Sequence, residues 1–293
     1  MELAGTIRQA RKSISAARAA GKRIGLVPTM GALHAGHISL IEEATGRCDY
    51  VVVSIFVNPT QFGPSEDFDK YPRDVESDMN ICRQSGANLI FSPSASQMYQ
   101  KENITWVNVD KLTENLCGRF RPGHFRGVTT VCTKLFNIVQ PDIAFFGQKD
   151  AQQAIVIKRM VADLNMPLQI VVCPTVREPD GLAVSSRNKY LSPEERKDAL
   201  LLSQSFAECE RLVKAGERNC KLLIGSMRKI IAQSSEAQIE YISIVDTETL
   251  ADIDVIEGEA LVALAVKIGS TRLIDNIIIS YQPRSARRTR NEI

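Results

Sequence analysis

The segment VPTMGALHAGH, residues 27–37, holds two of the three histidines in the chain, His34 and His37, just after an apolar run. A loop of Thr29, Met30 and Gly31 followed by a helix beginning near Gly36 sets backbone N–H groups and the positive end of a helix dipole at one edge of a sheet. That arrangement receives an anion. An imidazole there titrates near neutrality and donates hydrogen bonds to phosphate oxygens as charge develops on them. Capping or packing of the helix start is the alternative reading of the same pair. A metal site is harder to assemble: His124 is the only further imidazole, and no cysteine pair is near. Neither a lysine at P-loop spacing nor a GxGxxG run accompanies the glycines.

A second segment, FFGQKDAQQ at 145–153, repeats the design. An apolar strand ends at Phe146, Gly147 turns, and Asp150 is placed to cap a helix that carries Gln153. Lys149 then stands at the same sheet edge as the histidines. Alone, a lysine at a helix start reads as a solvated side chain. The stretch AVSSRNKYL at 183–191 gives it company, because two hydroxyls, backbone N–H groups and a guanidinium suit a mobile clamp over polyphosphate.

These loops need strands and helices to hold them. Short β-rich runs at 23–27, 50–57, 88–91, 142–146 and 168–173 alternate with amphipathic stretches at 37–46, 73–86, 126–139 and 150–164. Apolar strands separated by helices predict a doubly wound α/β domain with a parallel sheet buried on both faces. Beyond about residue 176 the rhythm changes. Ser192 before Pro193, Glu194 and Glu195 marks a helix start with a pattern running to about Val213, and another helical stretch covers 219–233. Strand-like runs follow at 239–245, 260–268 and 271–280, the last two joined by a Gly-Ser turn suited to a hairpin. The expected organisation is a first domain over 1–176, a smaller α+β domain over 177–282 and a basic tail over 283–293.

At 293 residues and 44% hydrophobic composition the chain can bury two domain-sized cores. The start MELAGTIRQARKS has no apolar h-region, and no run of apolar residues is long enough for a membrane span. A cytoplasmic protein is expected. Seven cysteines at 48, 82, 117, 132, 173, 209 and 220, with no CxxC pair, are expected as reduced, buried thiols. The net charge of +2 owes much to the tail, which carries Arg284, Arg287, Arg288 and Arg290 against Glu292; without those residues the balance is −1. The body therefore shows no nucleic-acid signature, and the tail reads as a solvated terminus.

HAGH after a first strand, with a later SSRN loop, resembles the HxGH and KMSKS signatures of the nucleotidyltransferase superfamily that includes class I aminoacyl-tRNA synthetases. Together with SIFVNPTQFGPSEDFDKYPR, RPGHFRGV and VREPDGLAVSSRN, these segments resemble the pantothenate synthetase (pantoate–β-alanine ligase) family, in that family's order, from about residue 4 to 281. The resemblance implies a Rossmann-like first domain binding nucleotide and pantoate, with the second domain as a lid. It implies a cytoplasmic homodimer that joins (R)-pantoate to β-alanine, using ATP and Mg²⁺. AMP and pyrophosphate would leave by way of a pantoyl-adenylate.

The resemblance also implies roles for residues. Met30, Gly31, Ala32, Leu33, His34, Ala35, Gly36 and His37 would form the ATP loop and helix start, with His37 as proton donor and His34 and Lys149 beside it in catalysis. Gly147, Gln148, Lys149 and Asp150 would hold ATP, Val176 would touch adenine, and Val184, Ser185, Ser186 and Arg187 would close over the phosphates. Gln61 would contact both acids and Gln153 pantoate, with Asn58 and Tyr71 near the same pocket. Asp78 matches a position associated with magnesium in some members. Val184 stands where many relatives have methionine, which should alter packing near the nucleotide more than chemistry. Two other readings compete: an adenylyltransferase that stops at a nucleotide product, and an RNA-binding module that uses the basic tail.

Overall fold

The computed structural model of the chain describes residues 1–64, 66–101 and 103–281; the basic tail lies outside the described residues. Six strands, β1 (Glu2–Ala4), β2 (Ile24–Thr29), β3 (Tyr50–Ile55), β4 (Leu89–Phe91), β5 (Ile143–Gly147) and β6 (Gln169–Cys173), form one sheet in the order β1-β4-β3-β2-β5-β6. All its pairings are parallel. Between them run α1 (Ile7–Ala19), α2 (Ala35–Arg47), α3 (Val75–Gln84), α4 (Ala95–Met98), α5 (Cys117–Phe120), α6 (His124–Val139) and α7 (Ala151–Asp163).

Alternation along the strands explains the double winding. Leu26, Val52, Ala144 and Phe146 join a core with residues of α1, α6 and α7, while Val27, Val53, Ile143 and Phe145 join another with residues of α2 and α3. The chain steps outward from β2 through β3 to β4, then returns to place β5 on the other flank of β2. Crevices in such sheets open where the strand order reverses, at the carboxyl ends. Here the opening is pronounced: β2 pairs with β3 along its whole length but with β5 only at Gly25↔Ile143 and Leu26↔Ala144.

The reading from sequence begins at Arg23 and missed β1 and α1. β1 has three residues and exists through its pairing with β4. α1 did announce itself, since Thr6 and Gln9 form a reciprocal capping box.

The remaining elements are α8 (Pro193–Ala215), α9 (Cys220–Ile231) and an antiparallel sheet of β7 (Ala237–Val245), β8 (Glu259–Ile268) and β9 (Thr271–Ser280), in the order β7-β8-β9. Ser192 and Glu195 make the capping box of α8, and Asn219 caps α9. One face of this sheet is covered by Leu202, Phe206, Leu223 and Met227 of the two helices. On its other face Val245, Leu261 and Ala263 meet Leu112, Leu116, Ala151 and Val156 of the first part. The second sheet is thus packed directly against the base of α7.

Candidate active site

The histidine loop is built on a buried carboxylate. Asp78 of α3, 2% exposed, accepts the backbone N–H of Ala32 at 3.0 Å and of Leu33 at 2.8 Å. Gly31 has φ +84°, and a Cβ there would lie 2.8 Å from Asp78 Oδ2, so glycine is required on both counts. The loop delivers His34 to the N-cap of α2. The Nδ1 of His34 accepts from Gly36 N–H at 3.2 Å, and the Nδ1 of His37 accepts from His34 N–H at 3.3 Å.

The capping reading of the pair therefore holds, and it leaves each Nε2 free of the cap. With each Nδ1 serving as an acceptor, each ring carries its proton on Nε2. Burial, followed by the nearby Lys149 charge, lowers the pKa of His34 to about 4. Burial and the neighbouring His34 lower that of His37 to about 3. The expectation of imidazoles titrating near neutrality does not hold here: both rings are neutral Nε2–H donors at pH 7.

A second wall is set by a chain of amides. Asn58 is 1% exposed, and its Oδ1 accepts from Tyr99 Oη at 2.9 Å and Thr60 Oγ1 at 3.0 Å. Its Nδ2 is therefore the donor, to Gln61 Oε1 at 3.1 Å and Gly127 O at 3.2 Å. Gln61 must then present Nε2 to the cavity, where its partner is the sulfur of Met30 at 2.9 Å. Thioether sulfur is a weak acceptor, so this donor is readily transferred to a ligand oxygen. Gly127 of α6 permits the approach, since a Cβ there would sit 2.3 Å from Thr60 O. Beside Gln61, and also lining the cavity, His124 has its Nδ1 2.8 Å from Gln61 O and, facing a carbonyl, donates to it. Its Nε2 then accepts from Arg121 at 3.1 Å. Burial and Arg121 lower the His124 pKa to about 4.

β5 ends at Gly147 and a 3-10 turn over Gln148–Asp150 leads into α7. Asp150 occupies the N-cap position, but its side chain makes no capping bond, contrary to expectation. The interposed turn changes the geometry, leaving the carboxylate on the cavity wall. The clamp segment is ordered by local contacts. Val184 N–H donates to Val176 O at 3.0 Å, Ser185 Oγ accepts from Arg187 N–H at 3.3 Å, and Tyr71 lies beside Ser186. The Arg187 guanidinium is held by both oxygens of Asp67, at 3.2 and 3.0 Å. Next to Asp67, Glu66 grips Arg121 in the same two-pronged way, at 2.7 and 2.6 Å.

These elements enclose a cavity of about 210 Å³ at the strand-order reversal. Its lining comes from separate segments: Met30, His34 and His37; Asn58, Gln61 and Tyr71; Lys149, Asp150 and Gln153; and Val184, Ser185, Ser186 and Arg187. A larger cavity of about 660 Å³ shares Arg121, Lys149, Asp150, Ser185 and Arg187 with it and reaches Lys267 and Arg272 of the second sheet. Gly31, Ala32, Leu33, Ala35, Gly36, Gly147, Gln148 and Val176 do not line the smaller cavity; they belong to the backbone that shapes it. Asp78 does not line it either. Each of its oxygens already accepts a loop N–H, and among the described residues no cluster of three His, Cys, Asp or Glu could hold a metal.

The profile of one protein family, Pantoate-beta-alanine ligase, matches residues 2–278. The chain belongs to the pantoate–β-alanine ligase family. Pantothenate synthetase of Thermoanaerobacter sp. (strain X514) is 56% identical over 272 residues, 93% of this chain and 96% of that protein. The Acetivibrio thermocellus enzyme is 55% identical over 279 residues, 95% and 99% of the two chains. Among solved structures, pantothenate synthetase from Thermus thermophilus matches with a TM-score of 0.90 and 41% identity over 94% of this chain and 99% of that one. Pantoate–β-alanine ligase from Francisella tularensis, solved with β-γ ATP and β-alanine, matches with a TM-score of 0.77 and 35% identity over 95% and 97%. Sequence reasoning missed the supporting roles of Glu66, Asp67 and Arg121, whose signal was an acidic run in SEDFDKYPR with no cue to its partners.

Proposed function

We propose that this chain condenses (R)-pantoate with β-alanine at the expense of ATP, by way of a pantoyl-adenylate, in the cavity between β2 and β5. The observation that carries the reading is the meeting of two unlike sets of groups in one cavity. Phosphate-seeking donors at His34, His37, Lys149 and the 185–187 clamp line the same cavity as the neutral amides of Gln61 and Gln153.

A carboxylate becomes an acylating agent only when its oxygen is made a leaving group. A pantoate carboxylate oxygen attacks the α-phosphorus, the bond from that phosphorus to the bridging oxygen breaks, and pyrophosphate departs with the electron pair. Lys149 and Arg187 supply positive charge to the phosphates, while the histidines donate from Nε2 without changing protonation state, as preorganised dipoles. Their depressed pKa values support stabilisation rather than proton donation as the role of His37. Gln61 and Gln153 orient pantoate without an ion pair that would draw electron density from the nucleophile. In the second step the β-alanine amine attacks the acyl carbon, AMP leaves, and the amine loses a proton as the amide forms.

Magnesium accompanying the triphosphate would be held by phosphate oxygens and water rather than by Asp78. The division near residue 176 and cytoplasmic residence are further proposals that rest on the sequence pattern, and a lid role for the second part and a homodimer are ones that rest on family resemblance. Among the described residues no helix is long and apolar enough to cross a membrane.

Exchange of labelled pyrophosphate into ATP tests the order of events. (R)-Pantoate alone should support exchange, β-alanine alone should not, and the two together should release AMP. Exchange that strictly requires both acids would overturn the adenylate in favour of a concerted reaction.

A further inference from the structure

β9 carries two adjacent polar residues, Asp275 and Asn276, that are only 5% and 4% exposed. Burying neighbouring polar side chains on a strand is costly unless each finds partners. Their partners lie across the cleft, on the first part of the chain and on the segment that leads out of it. Asn276 Nδ2 donates to Gln148 O and Lys149 O, each at 2.9 Å, and its Oδ1 accepts from Gln148 Nε2 at 2.9 Å. Asp275 holds Arg177 through both oxygens, at 2.7 and 3.1 Å, and accepts from Asn276 N–H at 2.8 Å. Arg177 also donates to Gly181 O at 3.1 Å, and it bridges Ala183 across the short antiparallel turn that leads to the clamp.

The carbonyls of Gln148 and Lys149 belong to the two peptide planes that flank the Lys149 Cα. Peptide planes are rigid, so fixing both leaves that residue no backbone freedom and sets the direction of its Cβ. One side-chain amide from the second sheet therefore aims the lysine at the site. We propose that Asn276 is a positioning residue for Lys149, and that Asp275, through Arg177, holds the clamp turn in the same frame. β9 thereby sets the spacing between Lys149 and the 185–187 clamp. Only an amide does this: a carboxylate at 276 would face two carbonyl oxygens with lone pairs.

The inference rests on the reading of Lys149 as a phosphate-facing catalytic residue, and the test separates the two. Pyrophosphate exchange driven by pantoate would be measured for Asn276→Ala, Asn276→Asp and Asn276→Ser, each in the native background and with Lys149→Ala. In the native background Ala and Asp should lower kcat by about tenfold or more with KM for ATP within about threefold, and Ser, which keeps one donor, should recover part of the loss. With Lys149→Ala the same changes should cost less than about threefold, because the group they aim is gone. Equal losses in both backgrounds, or an unchanged kcat, would overturn the positioning role. Native turnover by Lys149→Ala alone would instead overturn the reading of Lys149. Circular dichroism and melting identify folded variants, and the isosteric Asp and smaller Ser substitutions carry the test if Ala does not fold.

Discussion

Asp78→Asn separates two accounts of one carboxylate, because it preserves shape while changing what the side chain can accept. In the native protein each oxygen receives a loop N–H, from Ala32 and Leu33. The amide retains one acceptor and turns an NH₂ toward the other N–H. One charge-assisted bond, about 1.5–3 kcal/mol, is lost, and a buried N–H without a partner adds about 1–3 kcal/mol. Burial pushes the Asp78 pKa up, so removing the charge recovers part of this. A net loss of about 2–3 kcal/mol should lower Tm by about 3–5 °C for a chain of this size. The loop carries His34, so adenylation should slow as well, by about tenfold. Thermal melting and a magnesium titration of pantoate-driven exchange are the assays. An unchanged Tm combined with a raised magnesium requirement would refute the bracing role and restore Asp78 as a metal ligand.

Three further outcomes are expected. The lowered pKa values of His34 and His37 mean that the unfolded chain binds protons more readily than the folded one between about pH 6.5 and 3–4, so their stabilising contribution is present above 6.5 and is lost as pH falls through that window; ¹⁵N spectra at pH 6 should show both rings neutral with the proton on Nε2, and a ring titrating near 6.5 would contradict the capping geometry. Gly127→Ala places a methyl 2.3 Å from Thr60 O and must move the turn carrying Gln61; KM for pantoate should rise by about tenfold while KM for ATP stays within about twofold, whereas equal changes in both would argue against a pantoate role for Gln61. Gln153→Arg should reduce adenylation by about a hundredfold by pairing with the attacking carboxylate, and retained turnover in single-turnover assays would remove that explanation for the neutral wall.

Local chemistry was the legible part of this sequence. Apolar runs such as YVVVSIFV could be read as central strands, Ser192 with Pro193 as a helix start, and Gly269 with Ser270 as a hairpin, because each depends on its own few residues. The loops around His34, Lys149 and Ser185 were legible for the same reason, and the fold brings all of them to one cavity. What escaped were effects of distant partners. β1 depends on β4, the orientation of Gln61 on Tyr99 through Asn58, and the direction of Lys149 on Asn276. Asp78 in the pattern VESDMN looks like any surface acid until the loop it holds is folded above it. Asp150 shows the converse failure, since its place at a helix start suggests a cap that the turn before α7 prevents.

The short ladder between β2 and β5 has a mechanical consequence. Two rungs at Gly25 and Leu26 join the halves of the parallel sheet, and beyond them the strands run apart with Pro28, Thr29 and Phe146 on the walls of the gap. A ligand seated there would be gripped by loops from both halves and would act as the rungs that the sheet lacks. If the substrates bind as proposed, occupancy should stiffen the seam itself, slowing amide exchange at 27–31 and 145–149 together, so that the gap in the ladder is also the line the substrates stitch shut.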